Sequence, residues 1–219
     1  MIPDNEKIQE YWDGVAKSQM SSGRFNWWKI QALTKRMMDY DLHGKTILEI
    51  GPGMGLTAAS LVVPYGGFEY CVQEPSEAWA NEIAKRKPKE IRVGTADALQ
   101  YADGRFDAVL LLDVLEHIHP ESRLKSYNEI SRVCKQNAML FINNPGDVGD
   151  HDKNFDYGFF DSDIANLAYV FDGRIWQLET FLVPMLNRLY QFIVIARGEP
   201  MLGRFHCNYP SYFAGKEIE

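Results

Sequence analysis

Along the first forty residues the apolar positions fall at helical spacing. Ile8, Tyr11, Trp12 and Val15 lie at i, i+3, i+4 and i+7 behind Asp4 or Asn5 as a cap, which predicts a helix. A break at Ser21-Ser22-Gly23 follows, and Trp27, Ile30, Leu33 or Thr34, and Met37 resume the pattern as a second helix. From Thr46 onward short apolar runs alternate with helical stretches. Strands are predicted over Thr46–Ile50, Phe68–Gln73, Ile91–Thr95, Phe106–Leu112 and Ala138–Asn143. Helices are predicted over Leu56–Val63, from a Ser76 cap to about Arg86, from Pro120 to about Cys134, and from Asp161 or Ser162 to about Phe171.

Strand–helix alternation with nearly continuous apolar strands is the pattern of a parallel sheet covered on both faces. The end of the chain differs. Arg174–Val183 and Arg188–Ala196 are separated by only Pro184–Asn187, too little chain for a crossover helix, so these two strands should pair antiparallel. The fold class expected is α/β: a Rossmann-like, seven-stranded, mostly parallel sheet with an antiparallel last strand and an N-terminal helical cap. The organisation expected is a cap or lid over 1–43, a core domain over 44–198 and a C-terminal tail over 199–219. The acidic stretch Asp147–Asp163 is expected to be a mobile loop.

The sharpest local feature is Ile47-Leu-Glu-Ile-Gly-Pro-Gly-Met-Gly-Leu56, a strand that runs into Gly51, Gly53 and Gly55 and then into a helix. In an open parallel sheet this turn faces the crevice at the carboxyl ends of the strands, where ligands bind. A dinucleotide loop wants GxGxxG, and the third position of that pattern is Leu56 here. A Walker loop ends in a lysine, yet no lysine or arginine occurs between Lys45 and Lys85. Four carboxylates follow strand ends: Glu49, Glu74, Asp97 and Asp113. With no cation expected among them at the border of the crevice, it is expected to suit a ribose-bearing ligand of net positive charge rather than a polyphosphate.

Composition narrows the choice without overturning it. The chain has 219 residues, 46% hydrophobic and 24% charged, which suits one elaborated globular domain. Its formal charge of −7 disfavours nucleic acid and anionic membrane surfaces as partners. Cys71, Cys134 and Cys207 lie far apart, with no zinc-type spacing, and read as reduced thiols. The start of the chain has no apolar signal core, and the longest apolar runs are far shorter than a membrane span. A cytoplasmic protein of unspecified oligomeric state, with no metal and a small-molecule substrate, is the expectation.

On these residues the chain resembles the class I S-adenosylmethionine-dependent methyltransferases, most closely the small-molecule, ubiquinone-biosynthesis-like branch. Glu49-Ile-Gly-Pro-Gly-Met-Gly55 resembles motif I, (D/E)xGxGxG. Tyr70-Cys-Val-Gln-Glu74 resembles the second strand and its acidic end, and Gly94-Thr-Ala-Asp-Ala-Leu99 the segment that holds adenine. Phe106-Asp-Ala-Val-Leu-Leu-Leu-Asp-Val-Leu-Glu-His117 resembles the fourth strand and its turn. The resemblance spans about Gly44 to Gly198 and implies S-adenosyl-L-methionine as cofactor. It implies that Gly51, Gly53 and Gly55 form the loop along the methionine part, with Glu49 orienting its ammonium. Glu74 would hold the ribose diol, Asp97 the adenine amino group, and Ala98 would offer its amide to the ring. Asp113 would line the methionine end, and Tyr11 would close over the cofactor. The (D/N)PPY signature of amino-group enzymes is missing after the fourth strand, and Asn143-Asn-Pro145 follows the fifth strand instead.

Methyl transfer to a small acceptor is the implied reaction, with His117 as the candidate catalytic base and His119 and His151 as runners-up. His43 and His206 read as packing or surface residues. Asp113, Asn143, Asn144 and Asp147 could in principle hold magnesium, but Asp113 is already wanted by the cofactor. Tyr11, Trp12, Trp27, Trp28, Phe155, Tyr157, Phe159 and Phe160 are available as apolar wall. The alternatives are an inactive cofactor-binding regulator and an NAD-dependent oxidoreductase.

Overall fold

The computed structural model of the chain describes residues 3–22, 27–57, 60–61, 67–145, 155–183 and 188–202. Seven strands among them form one sheet: β1 (Thr46–Ile50), β2 (Glu69–Glu74), β3 (Glu90–Val93), β4 (Phe106–Leu112), β5 (Cys134–Pro145), β6 (Arg174–Val183) and β7 (Arg188–Ala196). The helices are α1 (Asn5–Ser22), α2 (Trp27–Met37), α3 (Glu77–Ala84), α4 (Pro120–Val133) and α5 (Asp161–Phe171). The strand order is β3-β2-β1-β4-β5-β7-β6. β1 to β5 pair in parallel, while β7 runs antiparallel to both β5 and β6. The reversed strand is thus β7, as the short 184–187 connection requires.

Most predicted elements coincide with those observed. β5 is the main exception, running from Cys134 to Pro145 because it continues directly from the end of α4. Half of the predicted Leu56–Val63 helix, all of Asp147–Asn154 and the tail beyond Leu202 fall on residues outside the described set.

The pleat divides the core between the two faces of the sheet. Leu48, Ile50, Val109, Leu111, Leu140 and Ile142 point to one face and pack under α4 and α5, against Tyr127, Ile130, Leu167 and Phe171. Ile47, Leu110, Phe141, Phe192 and Val194 point to the other, against Ile30, Leu33 and Met37 of α2. α2 is tied to β6 by Arg36, which pairs with Glu179 at 2.6 Å and lies 3.9 Å over the Phe181 ring. Tyr40 adds a 2.6 Å hydrogen bond to Gln177. α1 buries only Ala16, and a polar contact helps to hold it. The Asp13 carboxylate accepts from the Ser76 hydroxyl at 2.5 Å and from the Ala78 amide at 3.1 Å, at the N-terminus of α3.

The segment expected to be mobile is anchored where it is described. Tyr157 donates its amide to the Glu116 carbonyl at 2.9 Å, Arg123 donates to the Gly158 carbonyl, and Asn144 donates to the Phe159 carbonyl at 3.1 Å. Each bond satisfies a backbone group in the connection between β5 and α5.

Candidate active site

The strand order reverses between β1 and β4, and a cleft of about 630 Å³ opens at their carboxyl ends. This is the switch point at which open α/β sheets bind ligands, and the volume suits a small molecule. Glu49, Gly51, Gly53, Glu74, Asp97, Asp113 and His117 all line it.

The glycine loop is shaped by contacts on its back. Gly51 has φ +61°, and a Cβ there would lie 2.9 Å from the Val114 side chain. Gly53 has φ +53° but faces open space, leaving room for a ligand along the main chain. Gly55 does not line the cleft; its Cα packs on Ile83, which a Cβ would approach to 3.1 Å. Its glycine therefore serves packing against α3 rather than ligand approach.

Glu74 joins two parts of this loop. Oε2 accepts from the Gly53 amide and Oε1 from the Ser76 amide, each at 3.0 Å. The side chain is nearly buried, and burial raises its pKa to about 7 despite those two bonds. Glu49 is buried too and accepts from the Tyr70 hydroxyl. Burial again dominates and raises its pKa to about 7. Both carboxyls therefore sit near neutrality, poised to ionise when a ligand donates to them or brings positive charge.

Asp97 behaves in the opposite way. Burial raises its pKa, but the Thr95 hydroxyl at 2.5 Å and Lys125 at 3.0 Å outweigh this and hold it below the usual carboxylate range. Ala98 does not line the cleft. Its amide bonds the Thr95 carbonyl at 3.3 Å and its carbonyl accepts from Gln73 at 3.1 Å, so the backbone at this position is spent on the turn. Gln73, fully buried, fixes that turn through Thr95, Ala98 and Gln100.

Asp113 corrects the expectation of an uninterrupted acidic crevice. Lys29, from α2, reaches into the cleft and forms an ion pair with it, while the Asn143 amide group donates to its other oxygen. Asp113 has φ +57°, a left-handed conformation that Asp tolerates better than most residues. Asn144 is turned away, bonded to Phe159 and Gln191. Among the described residues no cluster of three His, Cys, Asp or Glu side chains is arranged to hold a metal ion.

His117 follows β4 on a short 3₁₀ turn, Leu115–His117. Its Nδ1 lies 2.9 Å from the Phe155 carbonyl. A carbonyl can only accept, so Nδ1 carries the proton and Nε2 presents its lone pair. Burial pushes the imidazole below its ordinary pKa and favours this neutral form. Its Nε2 is 4.0 Å from an oxygen of Glu116, a carboxyl that is buried and raised to about 7 by that burial. His119 also lines the cleft, but its Nδ1 accepts from the Glu121 amide at 3.3 Å, capping α4. His43 is exposed, and His151 and His206 lie outside the described residues.

Of the aromatic residues expected as wall, Trp12, Phe155 and Tyr157 line the cleft. Tyr11 does not; it packs against them, edge-on to Trp12 at 5.1 Å and tilted against Phe155 at 4.2 Å between ring centres. Trp28 and Phe160 are exposed, and Phe159 belongs to the core. The Trp27 side chain is outside the described residues. Lys29, Trp79 and Tyr190 also line the cleft, without a signal in the sequence pattern.

Comparison with known proteins agrees with this arrangement. Residues 48–142 match the family described as a methyltransferase domain.

Two curated relatives align with the domain region. An uncharacterized methyltransferase of Mycobacterium sp. (strain JLS) is 32% identical over 101 residues, and norajmaline N-methyltransferase of Rauvolfia serpentina is 34% identical over 104. Each alignment covers 45% of this chain, and 38% and 35% of those proteins respectively. The chain thus spans little more than a third of the curated relatives it matches. The fold extends further. The 1,6-didemethyltoxoflavin-N1-methyltransferase of Burkholderia thailandensis, crystallised with 1,6-didemethyltoxoflavin and S-adenosylhomocysteine, superposes with a TM-score of 0.68 at 15% identity. That match covers 91% of this chain and 92% of the other. The Rossmann-like fold is thus shared over most of the chain, and α1 and α2 both contribute residues to the lining of the cleft.

Proposed function

We propose that this chain is an S-adenosyl-L-methionine-dependent methyltransferase acting on a small-molecule acceptor. The observation that carries this reading is the join between Gly53 and Glu74. It sets a carboxyl of pKa about 7 beside a main-chain cradle that faces open space. Lys29 is the one lysine or arginine among the described residues that line the cleft, and it lies at Asp113 rather than at the glycine loop. A pyrophosphate would meet acids there and no cation, whereas a ribose and a cation would be matched.

Glu74 would accept from the ribose hydroxyls with the lone pairs its two amide bonds leave unused. Glu49 and Asp113 would face the methionine part, and Asp97 the adenine. The cofactor, when bound, supplies a methyl group activated on a sulfonium. His117 would take a proton from the acceptor at Nε2, and Glu116 would stabilise the imidazolium that results. Trp12, Phe155 and Tyr157 would keep water from the acceptor. In this reading residues 1–43 serve as the lid and 44–198 as the cofactor-binding core.

Calorimetric titration with S-adenosylhomocysteine and with NADH tests the assignment directly. Binding of S-adenosylhomocysteine with no response to NADH is expected; the reverse result overturns it. Methyl transfer from labelled S-adenosylmethionine to an acceptor panel then separates an enzyme from an inactive binder.

A further inference from the structure

The two ends of the cleft differ in electrostatic character. Glu49, Glu74 and Asp97 line the end built on β1 to β3. The other end is lined by Lys29, His117 and His119, with Asp113 between the two. Asp113 is answered on both oxygens, by Lys29 and by Asn143. Glu116, which also interacts electrostatically with Lys29, and Asp156 lie near this end, but neither lines the cavity.

Lys29 is 9% exposed, and its Nζ lies 5.3 Å from the centre of the Tyr190 ring. A buried ammonium needs a counter-charge, and Asp113 supplies it here. A cationic cofactor entering beside Asp113 would draw on the same carboxylate. The charge balance would then be restored by an anion arriving at Lys29 from the acceptor side. An acceptor with an ammonium would instead be placed against a buried lysine.

Resting on the methyltransferase reading, we propose that the acceptor is an organic anion with a flat apolar body, its carboxylate or equivalent acidic group held by Lys29. The ring faces of Tyr190, Trp12 and Tyr157 would receive the apolar body. Lys29 is thus a specificity-determining residue, supplied by the cap rather than by the sheet.

The test uses the full chain saturated with S-adenosylhomocysteine, whose own binding is measured first. Failure of that first titration counts against the methyltransferase reading alone. The loaded protein is then titrated with 2-naphthoate, 2-naphthylmethanol and 2-naphthylmethylamine. Naphthoate is expected to bind at least about tenfold more tightly than the amine and more tightly than the alcohol. Lys29→Met should bring the three within about twofold of one another, while Lys29→Arg keeps the order. An amine or alcohol that binds the wild-type protein as tightly as naphthoate overturns the proposal, whatever the variants do. So does a naphthoate preference that survives Lys29→Met.

Discussion

Ser76 stands between Asp13 and Glu74. Its hydroxyl donates to the Asp13 carboxylate at 2.5 Å, and its amide donates to Glu74 Oε1 at 3.0 Å. The helix that covers the cleft is therefore fastened two residues away from the carboxyl proposed to hold the ribose. Removing the fastening should loosen the cover without altering the cradle. Asp13→Ala is expected to cost about 1 kcal/mol, the worth of a helix cap, and to speed cofactor release about fivefold. Stopped-flow fluorescence reads this, because Trp12 and Trp79 both line the cleft. An unchanged release rate would show that the Asp13 contact does not control access.

Cofactor affinity should depend on pH in a defined direction. Glu49 and Glu74 keep their protons up to about pH 7 in the free protein. Bonds from hydroxyl groups, or a nearby cation, favour the ionised forms and so lower both pKa values in the complex. Affinity should therefore fall as pH drops below about 7 and level off above it. Calorimetry in buffers of different ionisation enthalpy should detect proton release on binding at pH 6.5. Glu74→Gln should remove part of that release and weaken binding by about 1–3 kcal/mol. Equal affinity at pH 6 and pH 8 would contradict the assignment of both carboxyls.

For His117 the prediction concerns turnover and its pH profile. His117→Ala should slow methyl transfer by about 10²- to 10⁴-fold, the usual worth of a positioned base, and leave cofactor binding in place. Because burial lowers its pKa, activity should persist at pH values below the ordinary histidine range before falling. Unchanged turnover in the alanine variant would make the Phe155 contact a structural pin and nothing more.

Glu116 offers a stability test free of any ligand. Its carboxyl is 1% exposed, one oxygen has no hydrogen-bond partner, and its pKa is raised from 4.5 to about 7. Between those values the unfolded chain ionises first, so this group costs stability progressively as pH rises from 4.5 to 7. Glu116→Gln should be close to neutral at pH 4.5 and stabilising at pH 8 by about 1–2 kcal/mol. Thermal unfolding at the two pH values checks it. A variant less stable at pH 8 would mean that the ionised carboxylate is firmly paired with Lys29 or Arg123.

Local chemistry makes most of the sheet legible in the amino-acid sequence. The runs Ile47–Ile50, Ala108–Leu112 and Phe192–Ala196 are buried on both faces, so near-continuous apolar character marks them. Glu49, Glu74 and Asp113 stand out for a similar reason: each ends or follows such a run. What stays hidden depends on distant partners. Lys29 lies between an exposed Trp28 and a buried Ile30 and reads as one more surface lysine; only packing of α2 brings it to Asp113. The same holds for Ala98, whose amide looks available until the Thr95 turn is seen to use it. Tyr11 and Trp12 are adjacent on one helix, and helical spacing gives no means of telling which ring faces the cavity. No sequence signal points to Tyr190, because strand starts do not ordinarily reach the carboxyl end of a parallel sheet.

The reversal of β7 has an evolutionary corollary. Running backwards, this strand begins where its neighbours finish, and so brings Tyr190 to the cavity from the hairpin side. In the proposed function, recognition of the two reactants is divided between separate stretches of chain: the first three strands for one, the cap and the β6–β7 hairpin for the other. Substitutions in the hairpin and cap can remodel what is accepted while Glu49, Gly53 and Glu74 stay untouched. A scaffold partitioned in this way can diversify its chemistry by drift at one margin.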